Sequence, residues 1–131
     1  MEYTYKNKKI NSYKDLDVYT RSYDCSLLVI KQIIPKLPKN EKFDLANQLL
    51  RSSKAIPRLI AEGFAKKHQR AGFQKYLVDA MAESNETQVG LCQCKDLYSD
   101  LINLGLCVKL INEYETISKQ LFRLNQAWNK F

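Results

Sequence analysis

The chain has a single histidine, His68, and four cysteines, Cys25, Cys92, Cys94 and Cys107, none at a metal-ligand or redox spacing. Cys92 and Cys94 are two apart, so a helix would point them to nearly opposite faces, and one metal could not join them without breaking that helix. Neither a zinc site nor a redox pair is expected, and the thiols read as small buried hydrophobes of a reducing compartment. Glycine and proline are scarce, with four and three residues among 131, which argues against both disorder and a turn-rich β fold. No apolar run approaches the roughly 20 residues that a membrane span needs. The opening MEYTYKNKKINSY has no apolar stretch to serve as a signal sequence, so a cytoplasmic protein is expected. A Gly-rich phosphate loop, a nucleophile elbow and a paired-ligand helix motif are also missing. No stretch argues a reaction, and no catalytic residue, cofactor or metal is expected: the chain reads as a protein other than an enzyme.

What is present is helical periodicity and an uneven charge. Hydrophobic residues make up 45% and charged residues 27% of the chain, ordinary globular usage for one domain with one core. The formal net charge is +7. Residues 1–75 hold 16 Lys and Arg against 7 Asp and Glu, whereas residues 76–131 hold 5 against 7. The cations therefore belong to the first half. From Arg51 to Lys75 there are seven, Arg51, Lys54, Arg58, Lys66, Lys67, Arg70 and Lys75, beside one acid, Glu62. Such a surface attracts phosphate backbones or an acidic partner with a salt-dependent strength; the alternative is a solvated helix face that keeps the protein soluble.

The periodicity predicts four helices. Leu16, Tyr19, Tyr23, Ser26, Ile30 and Ile33 recur at three- and four-residue steps, which gives a first helix over Lys14 to Ile34 that stops at Pro35 and Pro38. Asn40 stands where an N-cap belongs, with Glu41 and Asp44 in the first turn, and the second helix runs from there to Lys66. The third carries Phe73, Leu77, Ala80, Ser84, Thr87, Leu91, Cys94, Tyr98 and Leu101 in one alternating register, a seam that packs at shallow angles. Its polar middle, Ser84 and Thr87, would face Ser52 and Ser53 of an antiparallel second helix. Gly105 reads as a C-cap or turn. Asn112 and Glu115 resemble a capping box opening the fourth helix, with the stripe Tyr114, Ile117, Leu121, Leu124, Trp128 and Phe131. An all-α, antiparallel up-down-up-down four-helix bundle follows for residues 13–131. Residues 1–12 form an N-terminal arm or a short hairpin turning at Lys6 and Asn7.

Gln48 to Phe64 combines a buried stripe, Leu45, Leu49, Ser52, Ile56, Leu59 and Gly63, with the basic row Arg51, Lys54 and Arg58 on another part of the same helix. Pro57 stands inside that helix, where a bend that fits the bundle or a subunit contact is the expected compensation for its lost hydrogen bond. Glu62 is four residues from both Arg58 and Lys66 and can pair with either. His68 reads as an exposed turn residue. Most of the tyrosines fall on or beside apolar stripes, and Tyr3, Tyr5 and Tyr13 sit next to Lys6, Lys8, Lys9 and Lys14 as an exposed aromatic and basic cluster.

The same block resembles a known family. Pro38, Glu41, Gln48, Arg51, Ser52, Ser53, Ile56, Pro57, Ala61, Glu62 and Gly63, followed by Phe73, Tyr76, Leu77, Ala80, Glu86 and Leu91, are similar to the motif of the four-helix bundle proteins named for the intervening sequences of bacterial 23S ribosomal RNA genes. The resemblance implies a homopentameric barrel without established enzyme activity, and structural roles for Gln48, Ile56, Pro57, Ala61, Glu62, Gly63, Phe73, Leu77 and Glu86. It also implies a distant likeness to accessory variability proteins of diversity-generating retroelements, basic barrels that work with a reverse transcriptase and nucleic acid. The reading that follows is a noncatalytic oligomeric RNA- or DNA-binding or ribonucleoprotein accessory protein. The alternative is a structural or adaptor protein that recruits another protein and binds no nucleic acid.

Overall fold

A computed structural model describes residues 3–69 and 71–128. Helix α1 spans Asp17–Leu28, α2 Leu45–Ala65, α3 Gly72–Leu97 and α4 Leu104–Trp128. Helix α3 packs along both α2 and α4, while α1 closes the ring against α2 and α4. Residues 66–71 and 98–103 are short connections that make α2, α3 and α4 antiparallel in turn, while the longer segment 29–44 leads from α1 to α2, and the result is the all-α four-helix bundle that the periodicity predicts.

Several helix ends differ from the sequence reading. Helix α1 is shorter than Lys14–Ile34, because Tyr13–Asp15 is a separate 3-10 turn. Asp15 Oδ2 accepts from the Asn11 and Ser12 backbone amides at 2.8 and 3.0 Å while Ser12 Oγ accepts from Lys14 N–H at 3.2 Å, a capping box that fixes the entry to the bundle. Beyond Leu28 the chain continues as a π-helical turn, Val29–Ile33, and a 3-10 turn, Ile34–Lys36, ending where Pro35 and Pro38 forbid regular helix. Asn40 is no N-cap: it lies inside another 3-10 turn, Lys39–Glu41, and α2 begins at Leu45. The α4 boundary moves furthest. Asn103 Oδ1 accepts from Leu106 N–H at 3.1 Å, so α4 is capped nine residues before Asn112, which with Glu115 lies within the helix. Gly105 accordingly belongs to the first turn of α4 and does not end α3. Local capping patterns recur by chance inside helices, and which one is used depends on where the previous helix stops.

The hairpin pairs β1, Tyr3–Tyr5, with β2, Lys8–Ile10, antiparallel in the register Tyr3 to Ile10. Lys6 and Asn7 turn at φ 52° and 63°, the left-handed geometry of a tight two-residue hairpin. Tyr3 is buried, stacked on Trp128 at 4.9 Å between centroids. Trp128 in turn meets Phe73 edge-on at 4.8 Å and Phe64 at 6.1 Å. The hairpin thus caps an aromatic cluster at the end of the bundle where α2 turns into α3. Tyr3 is therefore part of the core and not of an exposed aromatic cluster.

The α3 seam is buried from Phe73 through Cys94, and Tyr98 is half-buried, but Leu101 lies past the helix and is exposed. On α1 the register is shifted: Val18, Ser22, Cys25 and Val29 are buried with Leu16, Ser26 and Ile33, while Tyr23 is 47% exposed. Phe131, the last member of the α4 stripe, lies outside the described residues. Cys25, Cys94 and Cys107 are buried free thiols, and among the described residues no group of His, Cys, Asp and Glu could hold a metal. Burial pushes the Cys25 thiol up to about 11 and that of Cys94 up to about 12. No helix among the described residues is long and apolar enough to cross a membrane.

Candidate nucleic-acid interface

Helix α2 is amphipathic because its residues divide cleanly around the axis. Leu45, Leu49, Ser52, Ile56 and Gly63 are buried, Leu59 is half-buried, and Arg51, Lys54 and Arg58 are exposed. The basic row lines a surface groove of about 410 Å³ together with Leu50, Ala55 and Leu59 and the two acids Glu62 and Glu83. Among the described residues none of Arg51, Lys54, Arg58 and Glu62 has an oppositely charged group within 4.0 Å. The pairing of Glu62 with Arg58 or Lys66 that the spacing allows is thus not made. Burial raises the Glu83 carboxyl above its ordinary range, the neighbouring Glu86 adds to this and Arg51 opposes it. The three cations are thus exposed and outside any salt bridge among the described residues, with Glu83 close enough to Arg51 to feel its charge.

The remaining basic residues fall elsewhere. Lys66 stands over the Tyr76 ring at 5.3 Å and Lys67 over Phe64 at 4.4 Å, cation–π contacts that anchor the turn between α2 and α3. Lys75 is exposed in the first turns of α3, and Arg70 lies outside the described residues. The run of seven cations is therefore at least two surfaces: a row along α2 and a cluster round the α2–α3 turn. His68 is exposed, as its turn position predicts, but the Tyr3 hydroxyl lies 3.0 Å from its Nδ1. That bond ties the hairpin, with exposed Lys6, Lys8 and Lys9, to the same end of the bundle. The spacing of residues 1–12 from Lys66 in sequence gave no signal of this proximity.

The remaining motif residues sort by depth. Ile56, Pro57, Gly63, Phe73 and Leu77 are buried, Ala61 is half-buried, and Gln48, Glu62 and Glu86 are exposed. A β-carbon at Gly63 would lie 2.5 Å from Tyr76 Cβ, so this glycine sets the closeness of α2 and α3. Gln48 and Glu86 share a groove of about 320 Å³ across the same helix pair, next to Gly90. Pro57 lines a further groove of about 310 Å³ between α1 and α2, opposite Tyr19 and Tyr23.

Residues 14–123 match the family model described as 23S rRNA-intervening sequence protein. Comparison with curated proteins gives no match.

Proposed function

Because the chain belongs to the 23S rRNA-intervening sequence protein family, we propose that it is a noncatalytic, homo-oligomeric accessory protein that binds RNA through the basic row of α2. The observation that carries this reading is the set Arg51, Lys54 and Arg58, exposed on one face of α2 and engaged in no salt bridge among the described residues, in a groove where they outnumber the acids Glu62 and Glu83. Three cations at helical spacing follow a phosphate backbone without reading its sequence. Lys66, Lys67, Lys75 and the hairpin lysines extend the positive field and draw in the ligand from a distance.

Self-association is part of the same proposal, with a pentamer as the expected assembly. At the end of the bundle opposite the hairpin, where α2 begins and α3 ends, Phe43 is 86% and Leu97 63% exposed, and Leu101, Leu104 and Val108 are exposed as well, apolar side chains on a surface that a subunit contact would cover. The same surface supports the second reading, an adaptor whose oligomer recruits another protein.

Electrophoretic mobility shift with RNA at rising salt tests the assignment. Changing Arg51, Lys54 and Arg58 together to Ala is expected to reduce the slope of log affinity on log salt by about two to three units. Changing them together to Glu is expected to abolish the shift while circular dichroism stays helical. Equal binding by the Glu variant at low salt would falsify the site. Light scattering on a sizing column gives the subunit number, and absorbance on the same peak detects copurified nucleic acid. A nucleic-acid-free oligomer with no shift at low salt would leave the adaptor reading.

A further inference from the structure

Tyr13, in the 3-10 turn before α1, and Tyr19 and Tyr23 on α1 form a ladder of rings. The first pair meets edge-on at 4.8 Å between centroids, and the second is tilted at 6.0 Å. The outer ring, Tyr23, is 47% exposed and Leu27 beside it 37%. Both open into the α1–α2 groove, whose far wall is Pro57 and Ala61 on α2. At about 310 Å³ it lies at the small end of ligand clefts, which run from about 300 to 1,000 Å³. Its first wall carries Tyr19, Tyr23, Leu27 and Ile30, and its α2 wall carries Pro57 and Ala61 beside Lys54 and Arg58. No acidic side chain lines it, whereas Glu62 and Glu83 line the neighbouring basic groove.

The cations connect the two grooves. Lys54 and Arg58 line both of them, so they stand on the ridge of α2 that separates a phosphate-attracting surface from an aromatic one. A chain whose phosphates sit on that ridge has its bases within reach of Tyr23 on one side. Base-paired nucleotides cannot use such a groove, because their faces are already occupied in the duplex stack; unpaired nucleotides can, and every base has a face to stack.

We propose that the α1–α2 groove seats unpaired bases of single-stranded RNA, with Tyr23 as the stacking platform and Lys54 and Arg58 holding the flanking phosphates. The inference rests on the RNA-binding reading above and adds to it the strandedness of the ligand. Tyr19, itself in edge contact with Tyr13, adjoins the platform along the ladder.

The test is fluorescence anisotropy of the full chain with a labelled RNA of about 15 nucleotides, a length on the scale of single-strand sites. The same RNA is also presented annealed to its complement, and as the DNA of the same sequence. The single-stranded RNA is expected to bind at least about tenfold tighter than the duplex. Tyr23→Ala is expected to weaken the single strand by roughly 5- to 150-fold, the range of one lost base stack, and to leave the duplex unchanged. Tyr23→Phe, which keeps the ring, is expected to bind as the parent does. Duplex binding as tight as the single strand, or an unchanged affinity in Tyr23→Ala, would overturn the groove assignment. If the Arg51, Lys54 and Arg58 variant then still loses all binding, the basic-row reading survives alone. Equal affinity for the DNA would overturn the choice of RNA. A fall in oligomer mass in Tyr23→Ala would reassign the groove to a subunit contact, and no binding of any of the three probes would overturn both readings.

Discussion

Thr87 on α3 and Ser52 on α2 place their hydroxyl oxygens 2.8 Å apart, both fully enclosed by the bundle. Thr87 Oγ1 also lies 2.9 Å from the Glu83 carbonyl of its own helix. A hydroxyl has one proton, so Thr87 donates to that carbonyl and accepts the proton of Ser52. A second chain of this kind links α3 to α4, where Ser84 Oγ donates to the Tyr114 carbonyl at 3.0 Å and Ser118 Oγ approaches Ser84 Oγ at 2.8 Å. Small hydroxyl residues thus let the helices approach and satisfy one another in the middle of the core.

The proton direction makes the two partners unequal. Thr87→Val strands the Ser52 hydroxyl in the core and is expected to cost about 1–3 kcal/mol in urea denaturation, whereas Ser52→Ala leaves Thr87 bonded to its own helix and costs less. The double variant should be less destabilised than the sum of the two. Equal costs for the single variants would contradict the assigned direction.

Close helix contact makes a second contrast. A β-carbon at Gly63 meets Tyr76 Cβ at 2.5 Å, next to backbone that cannot yield, while one at Gly90 meets Leu49 Cδ2 at 2.7 Å, the mobile end of a side chain. Gly63→Ala is therefore expected to lose about 1–3 kcal/mol or more from overpacking, and Gly90→Ala distinctly less. The order of the two thermal midpoints checks this.

The hairpin is held by Tyr3. Tyr3→Phe removes the hydroxyl that meets His68 Nδ1 while keeping the ring, and is expected to cost about 0.5–1.5 kcal/mol. Tyr3→Ala also removes the ring stacked on Trp128 and should cost more, with faster amide hydrogen exchange across residues 3–10. Equal exchange in both variants would show that the hydroxyl alone anchors the hairpin.

The buried thiols set a limit at high pH. Burial raises the Cys25, Cys94 and Cys107 thiols, so the folded state keeps protons that the unfolded chain releases above about pH 8.5. Their contribution to stability is complete below that pH and is lost as pH rises toward about 11 for Cys25 and about 12 for Cys94. Replacing all three by Ala should flatten the decline in denaturation midpoint over that interval. At about pH 8, only the half-buried Cys92 is expected to react quickly with a thiol reagent.

The sequence by itself determined the four helices, the α3 seam from Phe73 to Cys94, the α4 seam from Tyr114 to Trp128 and the exposed basic row of α2, because a long apolar stripe at helical spacing has one way to be buried. It also determined the family, whose motif residues Ile56, Pro57, Gly63, Phe73 and Leu77 are mostly core. Tertiary structure decided the rest. The α1 stripe read from Tyr19 and Tyr23 was displaced because α1 is short and packs against two helices at once, so Val18, Ser22 and Cys25 take the inside and the Tyr23 ring is left at a groove. Asn103, not Asn112, became the α4 cap because α3 ends at Leu97 and the chain must turn at once. The hairpin's place on Trp128, and the ridge that Lys54 and Arg58 share between two grooves, depend on contacts between residues far apart in the chain, and local periodicity carries no record of such distances.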